Sequence, residues 1–135
     1  MAFDWKAFVA LARDLQHQAV NAPNSEAFLR SAVSRAYFGA FGHASNYARQ
    51  FLQFQSRKLV EDHGRLREHL RRKKRKGDSD RLEQLRQWRN EADYSNAWPG
   101  PILQLRSQLL SSGPMRFSPV SYHRADLERK SFRGI

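Results

Sequence analysis

The sequence predicts an all-α protein, an up-and-down bundle of four to five helices around one long central helix. Apolar residues recur at three- and four-residue spacings between breaks made by Gly, Pro and Asn. No proline interrupts residues 25–52, long enough for about seven helical turns. No segment alternates apolar and polar residues at the two-residue period of a strand, and neither an internal repeat nor a glycine-rich phosphate loop is present. The 135 residues suffice for one domain with its own core. The bundle is assigned to residues 1–112, and residues 113–135 to a basic, polar C-terminal tail that is partly ordered at most.

Taken in order, the first helix is expected over residues 3–18, where Phe8, Leu11, Ala12 and Leu15 share a face and Asn21, Pro23 and Asn24 stop it. Ser25 and acidic Glu26 open the second, expected over 25–52. Leu29, Val33, Ala36, Tyr37, Ala40, Ala44, Tyr47 and Phe51 make its apolar band, widened by Phe38, Phe41, Ala48 and Leu52, so most of its sides are covered. For Phe38, Phe41, Tyr47 and Phe51 this position favours core packing over base stacking. The strip left over is Arg35, Gly39, Gly42 and Asn46. A glycine inside a helix costs up to about 1 kcal/mol relative to alanine, and close approach of another helix would offset it. A second copy of the chain is one source of that helix.

The third helix is expected around 64–72, followed by six consecutive cations at 71–76 that repel one another and lack an apolar face. Its end is therefore expected to be exposed and mobile. Gly77 breaks the run, and Asp78, Ser79 and Asp80 suit the start of a fourth helix reaching 94, with Leu82, Leu85, Trp88 and Ala92 as its buried stripe. Pro99, Gly100 and Pro101 turn the chain before a last short helix over 102–110, and residues 111–114, Ser-Ser-Gly-Pro, open the tail.

Composition narrows the partners. Lys and Arg number 24 against 13 Asp and Glu, a net charge of +11. Such a field attracts polyanions: nucleic acid first, an acidic membrane surface second, an acidic protein third. Residues 65–76, RLREHLRRKKRK, alone carry +7, and Arg65, Arg67, Arg71, Arg72, Lys73, Lys74, Arg75 and Lys76 are the candidate phosphate contacts. Without cysteine there is no disulfide framework, zinc ribbon or thiol catalysis, which fits a reducing cytoplasm, the expected location. Charges at Asp4, Lys6, Arg13 and Asp14 interrupt the N-terminal apolar residues, so neither a signal peptide nor a membrane span is expected.

The end of the fourth helix poses a question. An acidic residue in a last turn opposes the helix dipole by about 0.3–1 kcal/mol, yet Asp93 sits there with Tyr94. Arg89, one turn earlier, can pair with it, but for only about 0.2–0.5 kcal/mol. A tertiary partner is therefore expected, with Arg35 the first choice and Tyr37 or Tyr94 supplying hydroxyls.

SAVSRAYFGAFGHA (31–44), HGRLREHL (63–70) and LRQWRNEADY (85–94), with the opening FDWKAFVALARDL (3–15), resemble the HEPN family of small helical proteins over roughly residues 3–110. The resemblance implies a helical bundle that forms a homodimer and brings two copies of a motif to a shared cleft, where many members cut RNA without a metal. That motif is an arginine, usually followed by Asn, Asp or His, and a histidine after four to six intervening residues. Arg89 and Asn90 match its start, and the histidine positions hold Tyr94, Ser95 and Asn96.

On this resemblance Arg89 would stabilise phosphorane charge, Asn90 would orient phosphate and Tyr94 would replace the acid-base histidine, with Arg35, Tyr37 and Asp93 supporting the cleft. None of His17, His43, His63, His69 and His123 lies at the fourth-helix spacing, and each is read as a surface or satisfied core residue. No histidine pair has acidic support at metal-ligand spacing, so neither metal nor cofactor is expected. RNA is the expected partner, acted on by a toxin or defence ribonuclease. The competing expectation is a non-catalytic dimer serving as an RNA-binding or scaffold subunit, or as partner of a nucleotidyltransferase-like antitoxin.

Overall fold

A computed structural model describes residues 2–98, and the predicted helix over 102–110 and the tail from 113 lie outside the described residues. Among the described residues the fold is all-α: α1 (Lys6–Ala19), α2 (Ser25–Phe51), α3 (Asp62–Arg72) and α4 (Lys76–Tyr94), with no strand. No helix there is long and apolar enough to cross a membrane.

The long helix α2 organises the bundle, with α1 along one side and α3 and α4 on the other. Its buried residues include five alanines, Ala32, Ala36, Ala40, Ala44 and Ala48, which let neighbouring helices lie close on several sides at once. Larger core side chains come from α2 itself, Val33, Tyr37 and Tyr47, and from its partners: Leu66 and Leu70 of α3, and Leu82, Leu85 and Trp88 of α4. Leu66 with Leu70, and Leu82 with Leu85, are spaced to share one helix face, so each short helix buries a single stripe.

At the glycine strip the neighbour is α1 of the same chain. A Cβ at Gly39 would meet Val9 Cγ2 at 2.9 Å and Phe8 Cβ at 3.2 Å, and one at Gly42 would overlap the Trp5 indole at 2.0 Å. The close approach read from the glycines is thus made within one subunit, and no second copy is needed to explain it. Asp4 accepts the Lys6 N–H at 3.0 Å and holds a carboxylate at the positive end of α1.

Beyond α2, Gln53 takes a left-handed backbone (φ 60°) and the Phe54 N–H returns to the Ala48 carbonyl at 3.0 Å. Asp62 then gathers the loop that follows. Its buried carboxylate accepts from Ser56 Oγ at 2.7 Å, from the Arg57 and Lys58 N–H groups at 2.9 Å each, and from Arg65 at 2.6 Å. Burial alone would raise its pKa, but these donors bring it down to about 2. This anchor starts α3 two residues earlier than the sequence suggests and fixes His63 at its first turn.

The cationic run is exposed, as expected, and closes α3 as a tight turn. Lys74 adopts φ 62°, its N–H donates to the Arg71 carbonyl at 3.1 Å, and the Arg75 N–H donates to Leu70 at 2.8 Å. This is the two-bond arrangement that closes a helix C-terminus, with lysine in the position glycine usually takes. α4 begins at once, so Gly77 lies inside its first turn.

Candidate functional site

A cleft of about 510 Å³ lies among α2, α3 and α4, lined by Phe38 of α2, His63, Gly64 and Arg67 of α3, Arg86, Arg89, Asn90 and Tyr94 of α4, and Val60 of the loop before α3. Helical spacing explains the lining. His63 and Arg67 are one turn apart beside the Leu66–Leu70 stripe, and Arg86, Arg89 and Asn90 occupy one face beside Leu82 and Leu85.

Arg89 is held against the central helix. Its guanidinium lies over the rings of Tyr37 at 5.3 Å and Phe38 at 5.4 Å, and its side chain is 18% exposed. Its contact with Asp93 is 3.8 Å, and its buried Nε has no hydrogen-bond partner among the described residues. A buried donor without an acceptor is uncommon in native proteins and points to a ligand or water. Arg67 donates to the His63 carbonyl at 3.0 Å and pairs with Glu83 at 2.9 Å, while Arg86 bonds Glu83 through two nitrogens at 2.8 and 3.0 Å. Glu83 is thereby held near pKa 2, chiefly by the Arg86 hydrogen bond and against its own desolvation. Three guanidiniums thus line one cleft, with one carboxylate shared between two of them.

His63 sits at the heart of this group. Its ring stacks on Phe41 with centroids 4.0 Å apart, lies beside Tyr37, and its Nδ1 is hydrogen-bonded to the Tyr37 hydroxyl. Burial lowers the imidazole pKa, Arg89, Arg67 and Arg86 lower it further, and Asp62 opposes them. Burial raises the Tyr37 pKa against the same three arginines. At neutral pH both groups are uncharged.

Of the residues singled out in the sequence, Arg89, Asn90 and Tyr94 share the cleft, although Tyr94 stands on its rim and is 76% exposed. Tyr37 supports the cleft from beneath through His63 and Arg89. Arg35 does not face Asp93. It lies over Phe8 at 4.9 Å and Phe38 at 5.4 Å, because its neighbour Ser34 occupies the face of α2 towards α4 and donates to Asp93 at 3.5 Å. The cation expected at the end of α4 comes from elsewhere: Arg30 of α2 donates to the Ala92 and Ser95 carbonyls at 2.8 and 2.6 Å.

The side chains of the basic segment go to different partners. Arg67 enters the cleft; Arg65 turns to Asp62 and the Gln55 carbonyl; Arg71 and Lys76 pair with Asp80; Arg75 folds back onto the Tyr47 hydroxyl at 2.9 Å. Arg72, Lys73 and Lys74 are exposed on the turn, as are Arg71 and Lys76, roughly 14 Å along α3 from His63 at 1.5 Å per residue. Among the described residues no cluster of His, Asp and Glu is arranged to hold a metal.

The residue missed in the sequence is His63. Its signal was its place one turn before Arg67 beside a leucine stripe, which a search confined to fourth-helix spacing passes over. No known family model, curated protein or solved structure matches this chain.

Proposed function

We propose that this chain is a HEPN-like RNA-binding protein that seats a phosphodiester of single-stranded RNA between Arg67, Arg86 and Arg89, and that it acts there as a metal-independent endoribonuclease of toxin or defence type. The observation that carries the binding half is the state of Arg89: a guanidinium against two ring faces, 3.8 Å from its nearest carboxylate, with a buried nitrogen that lacks an acceptor. The exposed part of the guanidinium, which no carboxylate neutralises at close range, is free to meet a phosphate, and a planar guanidinium suits phosphate better than an ammonium does. Asn90 offers a neutral donor beside it, and the exposed cations at 72–74 extend the positive field that draws the strand in.

The non-catalytic reading, a dimeric RNA-binding or scaffold subunit or the partner of a nucleotidyltransferase-like antitoxin, draws its support from Tyr94, whose 76% exposure leaves it without the packing that fixes a catalytic group.

Total RNA incubated with the protein in excess EDTA separates the two. Cleavage that Arg89→Ala abolishes supports the enzyme; intact RNA with a salt-sensitive mobility shift supports the binder. In either case Arg89→Ala weakens binding by roughly 10- to 100-fold, the range of one lost charged hydrogen bond. The one phosphate seated in the cleft gives a log affinity against log salt slope of about −0.7 for a single strand, and phosphates met by the cations at 72–74 steepen it to at most about −3. Wild-type affinity in both Arg89→Ala and Arg67→Ala would remove the cleft from the account and leave the cations at 72–74 as the grip.

A further inference from the structure

The guanidiniums of the cleft surround one imidazole, and its setting suits proton transfer better than packing. We infer that His63 is the general base of this cleft, taking the 2′-hydroxyl proton of a bound ribose so that the 2′ oxygen attacks the adjacent phosphorus. The inference rests on the RNA-binding reading above.

The geometry fixes the ring. Phe41 stacks on it at 4.0 Å and 20°, Tyr37 lies at 5.6 Å and 22°, and Phe38 meets it edge-on at 6.3 Å and 79°. With Nδ1 bonded to the Tyr37 hydroxyl, Nε2 is the ring nitrogen left for a ligand. In the tautomer that donates Nδ1–H to the Tyr37 oxygen, Nε2 carries the lone pair a base needs. Tyr37 is then a positioning residue, which sets the ring and its tautomer and does not touch RNA.

The charges around the ring fit the same task. Tyr37 faces it from α2, Asp62 and Arg67 from α3, and Arg86 and Arg89 from α4. Burial first, and then three cations against one carboxylate, lower the His63 pKa and favour the neutral ring that a base needs. A bound phosphate offsets the guanidiniums, so the imidazolium formed in the reaction is tolerated.

The step balances. The O2′–H bond breaks and its proton passes to Nε2; the O2′–P bond forms; the P–O5′ bond breaks, and the 5′ oxygen leaves with a proton from water. The imidazolium returns its proton to water. The products are a 2′,3′-cyclic phosphate and a 5′-hydroxyl end, with the phosphorane charge held by Arg67, Arg86 and Arg89.

The test uses the full chain with an end-labelled single-stranded RNA in EDTA. His63→Ala is expected to slow cleavage by about 10²–10⁴-fold, with RNA affinity near wild type. Added imidazole should restore part of the rate to His63→Ala, which a merely structural loss would not allow. The wild-type rate should rise with pH through an imidazole titration below its ordinary range, and that limb should vanish in His63→Ala. Tyr37→Phe should lower kcat while sparing KM. If His63→Ala does not fold, as judged by circular dichroism, His63→Asn carries the same readouts, since it keeps a polar group opposite Tyr37 without a base. Wild-type cleavage by these variants, or RNA bound yet left intact by wild-type protein, overturns the assignment of His63 and leaves the binding site standing. Absence of salt-sensitive binding by wild-type protein overturns both.

Discussion

On the side of α2 that meets α1, Gly39 and Gly42 admit Val9, Phe8 and the Trp5 indole to distances at which no Cβ fits. On the side that meets α3 and α4, Ser34, Tyr37 and Phe38 present hydroxyls and ring faces to Asp93, His63 and Arg89. The first face is closed by shape, and its one arginine there, Arg35, lies over the Phe8 ring rather than in an open cleft. The second is held open by charge: the arginines are kept apart by like sign and tied down individually, two to Glu83 and one against aromatic rings. One helix therefore separates what must not move from what must remain available. The two faces should answer to different perturbations, the first to volume and the second to charge.

The largest effect is expected at Gly42. Alanine there places a Cβ 2.0 Å from the Trp5 ring, and the ring atoms involved are near its attachment rather than at a flexible tip. The indole must leave its seat, and overpacking of this severity destabilises by about 3 kcal/mol. Urea denaturation should show a lower midpoint, while the RNA affinity of the folded protein at low urea stays at the wild-type level. A parallel loss of affinity would mean that the faces are coupled through α2, and the separation would fail.

Next comes Asp62, which belongs to the charged face because it fixes the loop leading into His63. Removing its carboxylate leaves several part-buried donors without their acceptor, so Asp62→Ala should cost about 2 kcal/mol. Its pH dependence has a definite sign. The pKa is depressed to about 2 in the folded chain, so the stabilisation is present above the ordinary carboxylate value near 3.8 and is lost as pH falls from there towards 2. Acid titration of the unfolding midpoint should lose that limb in Asp62→Asn, while Gly42→Ala shifts the whole curve without changing its shape.

Glu83 gives a smaller effect of opposite direction. It neutralises Arg67 and Arg86 and so competes with any incoming phosphate. Glu83→Gln should raise RNA affinity at low salt by about 10-fold, or ~1.4 kcal/mol, and steepen its salt dependence. An affinity that falls instead would identify Glu83 as the group that aims the arginines.

The apolar stripes explain why so much of the fold was legible. Leu82, Leu85, Trp88 and Ala92 form the buried face of α4 at the positions their spacing implies, and the glycines of α2 mark a close helix contact. What spacing within one helix does not encode is which cation answers which carboxylate across helices. Arg35 and Ser34 are adjacent in sequence and about 100° apart on α2, and that rotation sends the serine to Asp93 and the arginine towards α1. For the same reason Arg30, one turn earlier, caps α4, a contact between residues 62 and 65 positions apart in sequence. The cationic run is exposed, as its like charges suggest, but composition does not encode the turn that the left-handed Lys74 and the carboxylates of Asp78 and Asp80 make of it. His63 was hidden because the loop anchored by Asp62, rather than any periodicity, delivers it to the cleft.

The smallest effect uses the substitution that is most damaging at Gly42. Gly77 lies in the first turn of α4, where an added Cβ meets nothing within 4 Å and the backbone is not left-handed. Alanine there removes conformational freedom from the unfolded chain without touching a neighbour, and should stabilise by about 0.4–1 kcal/mol. The urea midpoint should rise while RNA binding and its salt slope stay fixed, since no charge changes. Read beside Gly42→Ala, this places one chemical change at two helical glycines with opposite signs, which isolates contact with α1 as the cause. Loss of stability at Gly77 would instead show that the tight turn at Lys74 needs glycine's freedom just beyond it, and the contrast between the two positions would then reflect backbone strain rather than packing.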